Sequence, residues 1–189
     1  MKSHIKKEPK YKERREAERE KFNEQISETK PVDLVFIDQL GVDDNIVPQY
    51  GWSAKGDRSY AEQPSARKKR LSIVAGYEYG SRRVVAPFEY EGYTDSHLFN
   101  EWFEKQLLPA LRPGQVVILD NAAFHKSPEL LEIAAENNVQ IIFLPAYSPD
   151  LNPIEKFWAN LKRNIRKLIK SVKTFQEAIT MAFSITPSG

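Results

Sequence analysis

The hydrophobic positions of this chain divide it into a charged beginning and a longer region with the patterns of strands and helices. Residues 1–30 contain ten Lys and Arg and seven Glu, with few strongly apolar residues. This composition favours a charged, partly helical lead-in or linker outside the main core. From Val32 to Ile37 the chain is almost continuously apolar, as in a strand buried on both faces. The main domain is therefore predicted to occupy residues 31–189.

The remaining pattern predicts a hairpin, followed by strands and helices in alternation. Two apolar segments, 71–79 and 82–90, flank Gly80-Ser81 and predict a β-hairpin. Apolar runs and helical spacing predict two more buried strands, at 116–119 and 140–144, and four helices, at 98–107, 129–137, 153–169 and 174–183. We expect an α/β fold with a mixed five-stranded sheet. Its helix-linked strands run parallel, the hairpin adds an antiparallel edge, and helices cover both faces.

Composition restricts the chemistry that the chain can perform. It has 189 residues, of which 41% are apolar, and it contains no cysteine. Disulfides, thiolate zinc sites and cysteine nucleophiles are therefore excluded. With only three histidines, any metal would be held mainly by carboxylate oxygen, which suits Mg²⁺ or Mn²⁺. There is no apolar run of membrane-spanning length and no signal-peptide pattern, so we expect a soluble, cytoplasmic protein with no membrane partner.

Basic residues cluster in two places, although the formal net charge is only +2. The segment 156–173 contains seven basic residues and no acidic one. A second cluster lies in the stretch 42–70, which has no hydrophobic period and is predicted to be a long, functional loop or arm. Such clusters suit a polyanion such as nucleic acid, and a solvated surface without a partner is the alternative. The candidate contacts to nucleic acid are Arg67, Lys68, Lys69, Arg70, Lys162, Arg163 and Arg166.

Two aspartates follow buried strands of the predicted sheet. Asp38 ends the first strand and Asp120 ends the strand at 116–119. Ligands of open α/β sheets gather at the carboxyl ends of the strands, so these carboxylates should face each other if the strands are neighbours. Two carboxylates at such a short distance repel each other, and a shared divalent cation relieves the repulsion. Each aspartate also has a plainer explanation, because Asp38 can end a strand and Asp120-Asn121 can form a turn.

Glu155 allows two interpretations, a helix-starting residue or a metal ligand. Asn152 as N-cap, Pro153 in the first turn and Glu155 three residues after the cap match a capping box. However, Glu155 also shares one helix flank with Lys162 and Arg166, which is the arrangement that a phosphodiester-processing site needs. Together with the two aspartates, this spacing favours Glu155 as the third ligand.

Residues beside the carboxylates are candidates for supporting the site. Asn121 follows Asp120 directly, and His125 lies five residues beyond it, on the short path to the next helix. His125 could contact the substrate, or it could equally be a capping or core-edge histidine. Trp158 is more consistent with a core residue than with a platform for stacking bases.

Three stretches resemble the acidic motifs of DDE transposases, in particular the bacterial insertion-sequence branch of the mariner superfamily. They are VFIDQLG, VVILDNAAFHKS and FLPAYSPDLNPIEKFWANLKR, and 34 residues lie between Asp120 and Glu155, as is typical of that group. The likeness covers about residues 31–170. It implies a ribonuclease H-like fold in which Asp38, Asp120 and Glu155 bind two Mg²⁺ or Mn²⁺ ions. The implied activity is cleavage of DNA at transposon ends and strand transfer into target DNA by a homodimer, in the cytoplasm at the bacterial nucleoid.

Two departures from the family pattern raise alternatives. Gln39-Leu40 stands where the family usually has Glu and a small hydroxyl residue, and residues 1–30 are too short for the family's helix-turn-helix modules. The chain could therefore depend on a separate helix-turn-helix chain, with the 42–70 arm reaching a partner. The other readings are a catalytically silent remnant that binds DNA or dimerises, and a ribonuclease H-like nuclease with another substrate.

Overall fold

The computed structural model describes residues 15–43 and 70–187. Most of the predicted 42–70 arm, including Arg67, Lys68 and Lys69, lies outside the described residues, as does the first part of the lead-in. The predictions made for those segments therefore remain predictions.

The five predicted strands form one mixed sheet. They are β1 (Leu34–Asp43), β2 (Arg70–Glu78), β3 (Arg83–Glu91), β4 (Val116–Leu119) and β5 (Gln140–Phe143), in the spatial order β3-β2-β1-β4-β5. Strands β1, β4 and β5 pair in parallel, and the hairpin β2–β3 pairs antiparallel to β1. The predicted parallel core with an antiparallel edge is confirmed. The centre of the sheet is β1, which pairs with both halves.

Helices follow the predicted order. They are α1 (Glu16–Ser27), α2 (Ser96–Trp102), α3 (Leu108–Ala110), α4 (Pro128–Glu136), α5 (Ile154–Leu168) and α6 (Phe175–Ile185), and a π-helical segment joins α2 to α3. The Ser127 hydroxyl accepts a hydrogen bond from the Leu130 N–H and caps α4. Within the described part of the chain, no helix is both long and apolar enough to cross a membrane.

Helices cover both faces of the sheet because side chains alternate along each strand. In β1, Leu40 and Val42 pack with α5 and α6, whereas Val35 and Ile37 pack with α2 and α4 on the opposite face. The even-numbered positions of β1 therefore face α5. This alternation decides which side of the sheet each polar residue of β1 reaches.

The helix α1 belongs to the core, so the prediction that the lead-in stands outside it is wrong for this part. Phe22 is 2% exposed and packs in one cluster with Leu34, Phe36 and residues of β4 and β5. The charged composition concealed this contact, because one buried aromatic on an otherwise polar helix gives only a weak hydrophobic period. The described part of the lead-in contains the helix Glu16–Ser27.

The strand β1 is longer than predicted, and Asp38 does not end it. The apolar run stops at Ile37, but pairing with β2 continues to Asp43. Asp38 lies opposite Ala75 in the middle of that pairing, just beyond the last parallel pair with β4. The hydrophobic pattern could not show this extension, because it comes from a partner strand distant in the sequence.

A buried carboxylate, Glu78, connects the β2–β3 hairpin to the residue that precedes β4. Glu78 is 2% exposed and accepts hydrogen bonds from Ser81 Oγ, Arg83 Nε and Gln115 Nε2, at 2.6, 3.1 and 3.2 Å. Burial by itself raises the pKa of Glu78, but these hydrogen bonds outweigh it and lower the pKa to about 2. The ionised form of Glu78 therefore stabilises the folded protein.

We expect Glu78→Gln to reduce the free energy of unfolding at pH 7 by about 2 kcal/mol, because the charged hydrogen bonds are lost. Because the pKa of Glu78 is depressed, its contribution is complete above the unfolded-state pKa and is lost as pH falls toward 2. Urea denaturation between pH 2 and 7 should show that the free energy of unfolding falls with decreasing pH in the wild type, and falls less steeply in the variant. Glu101→Gln, on an exposed helical pair with Lys105, is the control and should have little effect.

Candidate active site

The three predicted carboxylates line one cleft. Asp38, Asp120 and Glu155 contribute to a cavity of about 370 Å³, whose other walls are Asn121, Ala122, residues 144–149 and Asn152. They come from the central strand, the end of β4 and the first turn of α5. The structure therefore brings together residues that lie far apart in the sequence.

Strand alternation places the two aspartates on the same face as α5. Phe36 and Ile118 both belong to the core cluster on that face, and Asp38 and Asp120 lie two residues further along each chain segment. Because side chains two apart in extended chain point the same way, both carboxylates reach the side on which α5 packs. The apolar stripe of α5, which includes Phe157 and Leu161, is buried against that face and brings Glu155 to the cleft.

Asp38 is held by a hydrogen bond from α5. The indole Nε1 of Trp158 donates to Asp38 Oδ2 at 3.0 Å. Burial, and then the negative charges of Glu155 and Asp120, raise the pKa of Asp38 to about 7. Without a counter-charge, the folded protein therefore disfavours the ionised form of this carboxyl group.

Asp120 is held by a histidine whose ring is completely buried. His125 Nδ1 lies 2.6 Å from Asp120 Oδ1, and Gln39 Nε2 lies 2.9 Å from His125 Nε2. An amide nitrogen donates, so His125 accepts through Nε2 and donates from Nδ1 to Asp120. Burial raises the pKa of Asp120, but the hydrogen bonds from His125 and from the Ala122 N–H outweigh it and lower the pKa. The two aspartates thus have opposite pKa shifts.

Gln39, the position that departs from the family pattern, faces the side of the sheet opposite to Asp38. It contacts His125, whose ring packs on Phe99 and Phe124, with centroids 4.4 and 4.2 Å away. Its neighbour Leu40 is buried in the core with α5. An acidic residue at position 39 would therefore meet His125, so the glutamine takes no carboxylate away from the cleft.

Glu155 does not form the capping box that the sequence allows. Pro153 occupies the N-cap position of α5 without a side-chain cap, and the Asn152 N–H bonds instead to the Pro149 carbonyl. Glu155 lines the cleft and is exposed as a whole residue. Partial burial of its carboxylate raises the pKa of Glu155, and the positive charge of Lys162 offsets part of that increase. The interpretation of Glu155 as a member of a capping box is therefore wrong.

The predicted basic contacts lie in two described places. Lys162, Arg163 and Arg166 lie along α5, with both arginines exposed. Arg70 is exposed at the start of β2, where its guanidinium lies 4.6 Å from the centre of the Tyr93 ring. Among the described candidates, Lys162 lies close enough to a cleft carboxylate to lower the pKa of Glu155.

The chemistry of the cleft suits a divalent cation, although the candidate ligands do not stand at coordinating distance from one common point. Within residues 15–43 and 70–187, no three His, Asp or Glu side chains already form a group that could hold an ion. Three carboxylates nevertheless share the cleft, and their repulsion contributes to the raised pKa of Asp38. Hard oxygen donors of this kind suit Mg²⁺ or Mn²⁺, whose charge would offset the repulsion.

The sequence profile of the DDE superfamily endonucleases matches residues 33–176. The chain belongs to this family. It is 26% identical over 153 residues to an uncharacterized 39 kDa protein of insertion element IS630 from Shigella sonnei, covering 74% of this chain and 43% of that protein. It is also 41% identical over 49 residues to an uncharacterized protein, y4pE/y4sA, of Sinorhizobium fredii (strain NBRC 101917 / NGR234), covering 26% of this chain and 34% of the relative.

Solved structures confirm the ribonuclease H-like fold of this DDE endonuclease-family chain. The Mos1 strand transfer complex aligns with 97% of the chain at a TM-score of 0.65 and 14% identity. A Mos1 paired end complex with Mg aligns with all of it, at a TM-score of 0.65 and 12% identity. The chain spans 63% and 64% of those two proteins and less than half of the curated relatives.

Two residues support the carboxylates in ways that the sequence patterns above do not predict. Trp158 was predicted as core, and it is buried, but its bond to Asp38 was not expected. A signal existed, because Trp158 lies three residues after Glu155 and so near the same end of α5. Gln39 stands where the family has an acid, but strand alternation implies that its side chain faces away from Asp38.

We expect Asp38→Asn to stabilise the metal-free protein by about 2 kcal/mol at pH 8, because it removes a partly buried charge next to two other carboxylates. The pKa of Asp38 is raised to about 7, so the cost is absent below the unfolded-state pKa and complete above pH 7. Urea denaturation in EDTA at pH 5 and pH 8 measures the difference. Asp43→Asn, at the exposed end of the same strand, should not reproduce it.

Proposed function

We propose that this chain is the catalytic domain of a metal-dependent DNA transposase, which cleaves DNA at transposon ends and transfers the strand into target DNA. The convergence of Asp38, Asp120 and Glu155 on one cleft carries the proposal. Membership of the DDE endonuclease family and the likeness to an insertion-element protein support it. A cytoplasmic location at the bacterial nucleoid follows from this activity and forms part of the proposal.

The three carboxylates would hold two Mg²⁺ or Mn²⁺ ions. Mos1 complexes have been solved with Mg and with Mn, which supports this assignment. When bound, the ions supply Lewis acidity to the attacking and departing oxygens of an in-line phosphodiester displacement. Trp158 orients Asp38, and His125, itself oriented by Gln39, orients Asp120.

The chain would bind DNA mainly through phosphate contacts. Lys162 and Arg166 lie on the flank of α5 that begins with Glu155, so a strand whose scissile phosphate reaches the cleft would continue past them. Arg163 and the 67–70 cluster extend the proposed contacts. The homodimer, the 42–70 arm as its contact and a separate helix-turn-helix chain remain predictions.

The alternative of a catalytically silent remnant loses one of its two supports. That support was Gln39-Leu40, and both side chains lie outside the cleft, on His125 and in the core. The other support concerned the N-terminal modules and is unaffected by these contacts. The three carboxylates and the supports of both aspartates are present. No contact in the described residues favours a different nucleic-acid substrate, so a transposase remains the function that the site supports best.

We expect Asp120→Asn and Glu155→Gln each to lower Mn²⁺ affinity at least tenfold and to abolish metal-dependent nicking of DNA that carries the transposon ends. Each change removes one negative ligand while keeping the side-chain shape. Calorimetric Mn²⁺ titration and gel assays of nicking measure the two effects. Glu132→Gln, exposed on α4 across the sheet, is the matched control. Wild-type Mn²⁺ affinity and nicking in both site variants would contradict the proposed site.

We expect Lys162→Ala and Arg166→Ala each to weaken DNA binding and to reduce the slope of log affinity against log salt by about 1, because each removes one phosphate contact. Fluorescence anisotropy at several salt concentrations measures this slope. Lys105→Ala removes the same charge from an exposed position on the opposite face and should leave the slope unchanged. Equal slopes in all four proteins would contradict phosphate contacts along α5.

A further inference from the structure

We propose that Arg19 of α1 is a positioning residue for the third carboxylate: its ion pair with Asp150 holds the turn from which Glu155 enters the cleft. The inference rests on the proposed function, because it assigns a support to a proposed metal ligand. It gives α1 a role in the site, although none of the described residues that line the carboxylate cleft belongs to that helix.

The ion pair has the geometry of a strong, oriented contact. Arg19 Nη1 lies 3.0 Å from Asp150 Oδ1, and Arg19 Nη2 lies 2.7 Å from Asp150 Oδ2, so both carboxylate oxygens are engaged. The Arg19 side chain is 8% exposed, which shields the pair from solvent on that side. Paired hydrogen bonds of this kind fix direction as well as distance.

The arginine projects from a helix that is itself fixed to the sheet. Phe22, one turn further along α1, is buried in a cluster with Leu34 and Phe36, and Ile26 packs against the same cluster. Asp150 is therefore tied through α1 to the start of the central strand. The pair thus differs from a mobile surface contact between two exposed side chains.

Successive turns connect Asp150 rigidly to Glu155. Backbone hydrogen bonds run from the Leu151 N–H to the Ser148 carbonyl, from the Asn152 N–H to the Pro149 carbonyl and from the Glu155 N–H to the Asn152 carbonyl, at 3.0, 3.0 and 3.2 Å. Pro149 and Pro153 restrict the backbone at two points within this segment. A displacement of Asp150 would therefore be passed on to the first turn of α5.

Glu155 needs such a support more than the two aspartates do. Asp38 is held by Trp158, and Asp120 is held by His125. Among the described residues, the Glu155 side chain has no comparable hydrogen bond, and it is exposed. Its location therefore depends on the packing of α5 against the sheet and on the turn that precedes the helix. The Arg19–Asp150 pair is a polar contact that joins this turn to α1, beside the packing of Leu151 on the Phe22 cluster.

The test compares Arg19→Met, Asp150→Asn and the double variant with the wild-type chain. We expect each single change to weaken Mn²⁺ affinity about tenfold, as is common when a residue supporting a metal ligand is lost. The double variant should be no weaker than either single variant, because both remove the same contact. Arg19→Lys should recover part of the affinity. Arg15→Met is the matched control and should bind as wild type, because this exposed arginine at the N-cap of α1 pairs with Glu18 and not with the turn.

Three further measurements separate positioning from a general loss of structure. In the metal-free protein, the Glu155 and Lys156 amides should exchange hydrogen faster in Arg19→Met, while those of β1 and β4 stay protected. In nicking assays, kcat should fall more than KM, because the DNA contacts along α5 remain. Thermal denaturation establishes that each variant is folded at the assay temperature. If Arg19→Met is unfolded, Asp150→Asn decides, because its side chain is 48% exposed and tolerates loss of the pair.

The outcomes distinguish this inference from the proposed function. If the wild-type chain binds Mn²⁺ through Asp120, but folded Arg19→Met and Asp150→Asn bind within twofold of it, the positioning role is wrong and the proposed function stands. If the wild-type chain shows no Asp120-dependent Mn²⁺ binding, the proposed function itself fails. Additive losses in the double variant would show that the two residues act separately, which also overturns the inference.

Discussion

Repulsion among three carboxylates is the constraint on which the organisation of this protein depends. Asp38 is partly buried and faces Glu155 and Asp120, so the fold holds three carboxylates in one cleft, where the charge of Lys162 offsets only part of the effect on Glu155. Apolar packing elsewhere supports this arrangement, because α5 and α6 bury their apolar stripes on the same face of the sheet. The carboxylates of the cleft thus destabilise the folded domain, whereas the packing of its core stabilises it. This combination is typical of sites adapted to a cation.

The supports of the site come from different layers of the fold. An indole on α5 holds Asp38, and a buried imidazole on the opposite face of the sheet holds Asp120. Glu155 is located through a turn, which we infer is held by Arg19 of α1. Because each carboxylate depends on a separate element, the site can form only when strands and helices are assembled together. This explains why residues distant from the cleft contribute to its geometry.

The contrast between Asp38 and Gln39 shows how strand alternation decides chemistry. The two are neighbours in sequence, yet one lines the cleft and the other contacts His125 across the sheet. A departure from the family pattern at position 39 therefore changes the support of Asp120 without changing the set of carboxylates. A substitution beside a ligand in a strand is best judged by the face that it occupies.

The sequence by itself determined the order of elements, the mixed sheet and the three carboxylates, because hydrophobic period, turn residues and motif spacing are local properties of the chain. It did not determine the extension of β1 past Asp38, the burial of Phe22 or the bonds of Trp158 and Gln39. Those features arise between segments far apart in sequence, where a pairing strand or a packing helix supplies the missing partner. Local pattern predicts which elements form, whereas their contacts decide which side chains meet.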